Sequence, residues 1–169
     1  MKRSNWGNVP ALVVLALLLG LLGAEPVSAQ GSSAASLTGQ DYEEIKALYS
    51  RYNQGSDFRD TELFLSAFAE DAVMTRGGRD IAGMAALRAD RAERYQGKTG
   101  DVGRRHMNGS FLITATKDGA SARTYYLLLD VTTRQPSMVA SGYYQDEFVR
   151  TAAGWRIQHR TLLSYEASQ

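Results

Sequence analysis

The chain has 169 residues, no cysteine and a formal net charge of +1. The lack of cysteine excludes disulfides and thiolate chemistry. Basic residues are scattered along the chain, which argues against a nucleic-acid partner. Residues 30–169 are long enough to form one domain with its own hydrophobic core.

The N-terminal residues have the pattern of an export signal. Lys2 and Arg3 provide a positive start, an apolar run follows over 11–22, and the small residues at 27–29 offer a cleavage site. The apolar run is shorter than the roughly 20 residues that a membrane-spanning helix needs. The pattern therefore favours a signal peptide, and a retained membrane anchor is the alternative.

This interpretation divides the chain into three parts. We expect a signal peptide over residues 1–29, a flexible leader over 30–36 and one folded domain over 37–166. Cleavage after Ala29 would place the domain in the periplasm or outside the cell, with no stable membrane association.

Two helices are predicted directly after the leader. Thr38 followed by Asp41 predicts a helix start, because a hydroxyl and a carboxylate three residues apart can satisfy free backbone amides. Apolar residues then recur with helical spacing, and Gly55 is the expected end of the helix. Asp60 is the expected N-cap of a second, short helix over 61–68.

The remaining elements are a short strand, a third helix and four long strands. The short strand is expected at 71–75 and the third helix at 81–95, with apolar residues on one side and many charges on the other. Turn residues then separate four segments rich in strand-forming residues. These segments are 106–116, 121–132, 138–150 and 155–165.

The order of elements predicts an α+β fold. About three N-terminal helices would pack on a strongly curved, mostly antiparallel sheet and form a cone-shaped α+β barrel, open at one end. Polar side chains on the inner surface near this opening are candidates for function.

Three groups of residues resemble a known family. They are YNQGSDFRD at 52–60 with FAEDAV at 68–73, RHMN at 105–108, and SGYYQDE at 141–147 with GWRI at 154–157. The chain is similar to the SnoaL-like family of the nuclear-transport-factor-two-like superfamily, and it resembles scytalone dehydratase and hexachlorocyclohexane dehydrochlorinase. The resemblance implies the cone fold, which hosts both enzymes and binding modules.

The resemblance also implies a catalytic pair. Asp57 matches an aspartate that orients the catalytic histidine in these enzymes, and His106 matches that histidine, the general base. A neutral imidazole can accept a proton, while a carboxylate holds its tautomer and stabilises the resulting imidazolium. The alternatives are a turn-forming Asp57 and a surface His106. Ser56 replaces a tyrosine of the dehydratase, so the pair indicates proton transfer in general.

Five further residues are candidates for substrate binding. Tyr144 and Asp146 share one face of a predicted strand, and Tyr144 lies near a position where relatives carry a polar pocket residue. Tyr126 matches a second histidine of the dehydratase, and Asn108 lies two residues after the candidate base. A core position with a satisfied hydroxyl is the alternative for Tyr144. The candidate binding residues are Tyr52, Asn108, Tyr126, Tyr144 and Asp146.

Metal and cofactor sites are not expected. His159 should share a strand face with Trp155 and Ile157, and we assign it to packing or to the surface. Two histidines among scattered carboxylates lack the spacing of a metal site. The chain also lacks a glycine-rich phosphate-binding motif.

Two classes of function remain open. The first is a cofactor-independent lyase or isomerase that acts on a small hydrophobic or aromatic molecule. The alternative is a non-catalytic binding module for such a ligand or for a protein partner. In either case the resemblance implies a homodimer or higher homo-oligomer, because cones of this family often dimerise through the outer face of the sheet.

Overall fold

The first helix begins where the sequence predicts it. The computed structural model describes residues 36–166, and α1 spans Gly39–Asp57. The Thr38 hydroxyl accepts a hydrogen bond from the Asp41 amide at 3.2 Å, and the Asp41 carboxylate accepts one from the Thr38 amide at 2.8 Å. This reciprocal pair is the capping box that the two residues predict.

The end of α1 differs from the prediction. Gly55 lies inside the helix, which continues to Asp57 and is capped at Phe58. A β-carbon at position 55 would lie 2.4 Å from the backbone nitrogen of Phe64. Glycine is therefore needed for close packing against the second helix and not for ending the first.

The second helix is shorter than predicted, although its N-cap is correct. α2 spans Thr61–Leu65, and the Asp60 carboxylate accepts a hydrogen bond from the Leu63 amide at 2.9 Å. Phe68, the predicted end of this helix, is instead the first residue of a strand.

The segment between α2 and the long strands contains a strand that the sequence did not reveal. β1 spans Phe68–Arg76, β2 spans Arg79–Ala82, and α3 spans Gly83–Tyr95. Ile81 pairs with Met74 in the sheet, so the predicted helix start at 81 is wrong. The two strands form a hairpin around two glycines with positive φ.

Four long strands complete one six-stranded mixed sheet. They are β3 at Arg104–Ala115, β4 at Ala120–Asp130, β5 at Ser137–Thr151 and β6 at Gly154–Glu166. The strand order is β2-β1-β6-β5-β4-β3, and the sheet is not closed. β1 runs parallel to β6, whereas the other neighbours are antiparallel. The α+β cone fold is confirmed; β1 contains the predicted short strand, and β2 is the strand added to the predicted set.

Strand register determines which side chains face the helices. His106 pairs with Leu128, and Leu128 pairs with Ala140, which places all three on the inner face. Large apolar side chains on the outer face of the sheet are exposed; they include Met107, Tyr125, Leu127 and Tyr165. Oligomerisation through this face stays a prediction.

The predicted signal peptide over 1–29 and nearly all of the leader over 30–36 lie outside the described residues. Within residues 36–166, no helix has the length and apolar character needed to cross a membrane.

A fully buried ion pair connects the two central strands of the sheet. Arg160 on β6 donates two hydrogen bonds of 2.8 Å to the Asp146 carboxylate on β5, and both side chains are completely inaccessible to solvent. The Tyr49 hydroxyl of α1 donates to Asp146 at 2.5 Å, and the Thr124 hydroxyl donates to Tyr49 at 3.0 Å. The network therefore joins α1 to three strands.

Three tyrosine rings surround the buried guanidinium. The central carbon of Arg160 lies 4.8 Å from the ring centroid of Tyr49, 4.3 Å from that of Tyr52 and 4.2 Å from that of Tyr144. Burial opposes the charged form of Arg160, but the charge and hydrogen bonds of Asp146 outweigh this and raise its pKa above the ordinary value. The aromatic faces compensate further for the lost hydration.

We predict that Gly55→Ala destabilises the protein. Its β-carbon would overlap the backbone of α2, and such overpacking costs about 1–3 kcal/mol. Urea unfolding followed by circular dichroism measures the loss. Gly39→Ala is the matched control, because it lies in α1 with open space around it and alanine favours helix. Equal stability of the two variants would contradict this account of Gly55.

We predict that Arg160→Met destabilises the fold by roughly 3–5 kcal/mol, because it leaves the Asp146 carboxylate buried without its partner. The double variant Asp146→Leu/Arg160→Met should recover much of this loss, since no charge is then buried. Arg88→Met removes an exposed ion pair with Glu62 and should change stability little. Urea midpoints compare the three variants, and an Arg160→Met protein as stable as Arg88→Met would refute the prediction.

Candidate functional site

A cavity of about 740 Å³ opens between the inner face of the sheet and helices α1 and α3. This volume is within the roughly 300–1,000 Å³ typical of small-molecule sites. Its wall combines aliphatic side chains from β4, β5 and β6 with four tyrosines and five arginines. The tyrosines are Tyr52, Tyr95, Tyr126 and Tyr144, and the arginines are Arg59, Arg76, Arg91, Arg94 and Arg104.

Asp57 and His106 meet at the wall of this cavity. Oδ1 of Asp57 lies 2.6 Å from Nδ1 of His106, and Oδ2 accepts a hydrogen bond from the His106 backbone amide at 3.0 Å. Because an ionised carboxylate can only accept, this geometry places the imidazole proton on Nδ1. Nε2 of His106 has no hydrogen-bond partner among the described residues, and the ring lines the cavity.

Local structure fixes both members of the pair. Asp57 is the last residue of α1, and its carbonyl accepts a hydrogen bond from the Val102 amide at 2.9 Å. This bond connects the end of the helix to the segment that leads into β3, on which His106 lies. The Asp57 side chain is 4% exposed and that of His106 is 17% exposed. The pair is thus shielded on the carboxylate side and accessible on the imidazole side.

Three of the predicted binding residues lie in the cavity wall. Tyr126 and Tyr144 stack with ring centroids 4.8 Å apart, and the Tyr126 hydroxyl is 2.5 Å from the Ser164 hydroxyl. The Tyr52 ring contacts the His106 ring edge-on at 6.4 Å between centroids. The hydroxyls of Tyr52 and Tyr144 make no hydrogen bond with the described residues. They are therefore available to a ligand.

Burial keeps one of these hydroxyls protonated. Tyr144 is 1% exposed, and its burial, followed by the effect of the neighbouring Tyr52, raises its pKa well above the ordinary value of 10. At neutral pH Tyr144 is therefore a hydrogen-bond donor at the cavity wall.

The other two predicted binding residues are not part of this wall. Asp146 is bound by Arg160 and Tyr49 in the core, so its carboxylate stabilises the fold and is unavailable to a ligand in the cavity. The Asn108 side chain accepts a hydrogen bond from Asn53 and donates one to the Tyr125 carbonyl at 3.2 Å. Neither residue lines this cavity, and their contact with a substrate stays a prediction.

His159 does not share the face of Trp155 and Ile157. The pairing of β5 with β6 shifts by one residue between Ile157 and His159, and such a bulge reverses the direction of the following side chains. Arg160 is consequently buried, whereas His159 is half-buried near the Thr75 hydroxyl, at 3.4 Å.

Within residues 36–166, no three His, Asp or Glu side chains lie together in an arrangement that could hold a metal ion.

The arginines of the wall were missed by the sequence interpretation. The sequence pattern places the charges of the third helix on the side opposite its apolar residues, yet Arg91, Arg94 and Tyr95 all line the cavity. Their spacing of three and four residues places them on one helix face, which is the available sequence signal. The cavity is therefore more polar and more basic than a purely hydrophobic ligand would require.

Comparison with known proteins supports the fold. A protein of unknown function from Mycobacterium tuberculosis is 25% identical, with a TM-score of 0.66 over 77% of this chain and 79% of that one. A cystatin-like protein from Nostoc punctiforme is 21% identical, with a TM-score of 0.68 over 78% and 96%. An NTF2-like protein with a cystatin-like fold from Novosphingobium aromaticivorans is 25% identical, with a TM-score of 0.63 over 76% and 84%.

No curated protein matches the sequence. The model of the SnoaL-like domain family, in contrast, matches residues 38–161. This segment includes the three helices, β1 to β5 and most of β6. The chain therefore belongs to the SnoaL-like domain family.

Proposed function

We propose that the protein is a cofactor-independent lyase or isomerase in which His106 is the general base and Asp57 orients it. The substrate would be a small molecule with an acidic C–H next to a carbonyl group. The observation that carries the proposal is the double contact of Asp57 with the ring and the backbone amide of His106. This contact fixes the imidazole and leaves Nε2 for a ligand.

The proton transfer follows from this geometry. Nε2 of His106 takes a proton from the carbon next to the carbonyl, and Asp57 stabilises the imidazolium that forms. In an elimination, the C–H electron pair becomes the new C=C bond while the C–O bond at the β-carbon breaks. The leaving hydroxide receives the proton from Nε2, so the products are an unsaturated carbonyl compound and water. In an isomerisation, the proton returns to a different carbon.

The tyrosine hydroxyls can stabilise the negative charge that this proton transfer creates on the substrate. Removing a proton next to a carbonyl places negative charge on the carbonyl oxygen, which a positioned donor can stabilise. Tyr144 is protonated and lines the cavity, and the Tyr52 ring contacts His106. We propose that these two hydroxyls donate hydrogen bonds to the carbonyl oxygen of the substrate.

We predict that His106→Gln and Asp57→Asn each reduce turnover about 10²- to 10⁴-fold. The assay uses a panel of β-hydroxyketones led by the aldol adduct of benzaldehyde and acetone, whose dehydration gives a conjugated enone that absorbs in the near ultraviolet. Exchange of the α-hydrogen in heavy water, followed by NMR, detects proton abstraction even without elimination.

His159→Gln is the matched control, because this second histidine lies outside the cavity wall and should leave turnover unchanged. Circular dichroism of each variant verifies that it is folded. Full activity in both dyad variants would refute the catalytic pair. Binding of the panel without turnover or exchange would favour the alternative, a binding module.

We also propose that the protein is exported, on the strength of the sequence pattern at residues 1–29. Expression of the full chain in a Gram-negative host should yield a periplasmic or secreted protein whose mass corresponds to a first residue of Gln30. A chain that lacks residues 2–29 should remain in the cytoplasm. Intact-mass spectrometry of each fraction checks this, and an unprocessed chain in the cytoplasm or membrane would contradict it.

A further inference from the structure

One side of the cavity carries a surplus of positive charge. Arg76 from β1 and Arg91 and Arg94 from α3 line it together, and we call these three residues the arginine wall. Arg91 is 6% exposed and its guanidinium lies 4.3 Å from the Phe64 ring centroid. The wall is thus partly desolvated, where charge interacts more strongly than in water.

A single carboxylate compensates for the arginine wall. Asp90, whose side chain is 5% exposed, contacts Arg76 at 2.5 Å, Arg94 at 3.5 Å and Arg91 through two hydrogen bonds. It also contacts Arg79 at 3.5 Å, so four guanidinium groups share one negative charge. Among the described residues lining the cavity, Asp57 is the one carboxylate, and it is bound to His106.

The crowding of charged groups shifts the pKa values of Arg94 and Asp90. Burial and then the charges of Arg76 and Arg91 lower the pKa of Arg94. Burial acts to raise the pKa of Asp90, but its hydrogen bonds and ion pairs with Arg91 and Arg76 hold it below the ordinary value. Asp90 is therefore ionised at neutral pH, and its single charge is already shared among the neighbouring arginines. A structural ion pair needs one arginine for its carboxylate, whereas four arginines contact Asp90.

A second observation points to a polar ligand in the same cavity. The Tyr144 side chain is almost completely buried and lines the cavity, yet its hydroxyl has no hydrogen-bond partner among the described residues. Tyr52 connects the two regions, because its ring contacts the rings of His106 and Phe64, and the Arg91 guanidinium lies over the Phe64 ring. The arginine wall and the candidate dyad thus line the same cavity and are linked by packed aromatic side chains.

We propose that the arginine wall binds an anionic group of the substrate, above all a carboxylate, whose fork of two oxygens matches the guanidinium geometry. This inference rests on the proposed function and names its substrate class. The substrate is a small amphiphilic acid. Its charged group lies on Arg76, Arg91 and Arg94, its apolar body contacts the aliphatic wall of the cavity, and its reacting carbon faces His106.

The proposal is tested by binding, independently of turnover. The probes are benzylideneacetone, which is neutral, and its para-carboxylate, which has the same body and one negative charge. Isothermal titration calorimetry at low ionic strength should show about 10- to 100-fold tighter binding of the carboxylate, the range expected for hydrogen bonds to charged groups. Added salt should reduce the difference.

The variants locate the binding site. Arg76→Gln and Arg94→Gln should each remove most of the preference for the carboxylate and leave the affinity for the neutral probe unchanged. Arg79→Gln is the matched control, because Arg79 shares Asp90 but does not line this cavity. It should keep the preference, and so should His106→Gln. Arg91, which is deeply buried, is not substituted.

The outcomes separate this inference from the proposed function. Equal binding of the two probes, or a preference that survives both Arg76→Gln and Arg94→Gln, overturns the anion site even if the β-hydroxyketones are turned over. A preference that these two variants abolish supports the anion site even if no compound reacts. Loss of the carboxylate preference in Arg79→Gln as well would show that the preference arises from general surface charge. That result would also overturn the anion site.

Discussion

The buried ion pair between Asp146 and Arg160 is the constraint on which the rest of the structure depends. Neither side chain is accessible to water, so each charge must be compensated inside the protein. The compensation comes from α1 through the Tyr49 hydroxyl and from the faces of Tyr49, Tyr52 and Tyr144. Two of these rings also line the cavity. The ion pair that holds α1 against the sheet therefore also positions Tyr52 and Tyr144, which line the candidate site.

The position of the candidate dyad follows from this arrangement. Once Tyr49 and Tyr52 fix the direction of α1, the end of the helix at Asp57 must lie over the beginning of β3. Gly55 permits the close packing of α1 on α2 that this path requires. The dyad thus depends on contacts distributed along the whole helix, while its two hydrogen bonds complete the geometry locally.

Features set by neighbouring residues could be predicted from the sequence, whereas features set by distant ones could not. The caps at Thr38 and Asp60 depend on residues three positions apart, and both predictions are confirmed. The parallel pairing of β1 with β6 joins segments far apart in the chain, and no local pattern indicates it. The bulge in β6 turned Arg160 inward, against the simple alternation of a strand. Contact between Asp57 and His106 could be predicted because the family resemblance supplied the long-range information.

The surplus of arginine gives the two proposals a common electrostatic basis. A positive wall that is partly shielded from water binds an anion, and it also stabilises the negative charge that develops on a carbonyl oxygen during proton abstraction. Proton abstraction also places a positive charge on the imidazole of His106. The Asp57 carboxylate, held against both the ring and the backbone amide, supplies the local negative charge that stabilises this imidazolium. Among the described residues, the Asp57 side chain forms hydrogen bonds with His106 alone. The arginine wall, whose own carboxylate partner is Asp90, therefore does not compete for the group that orients the base.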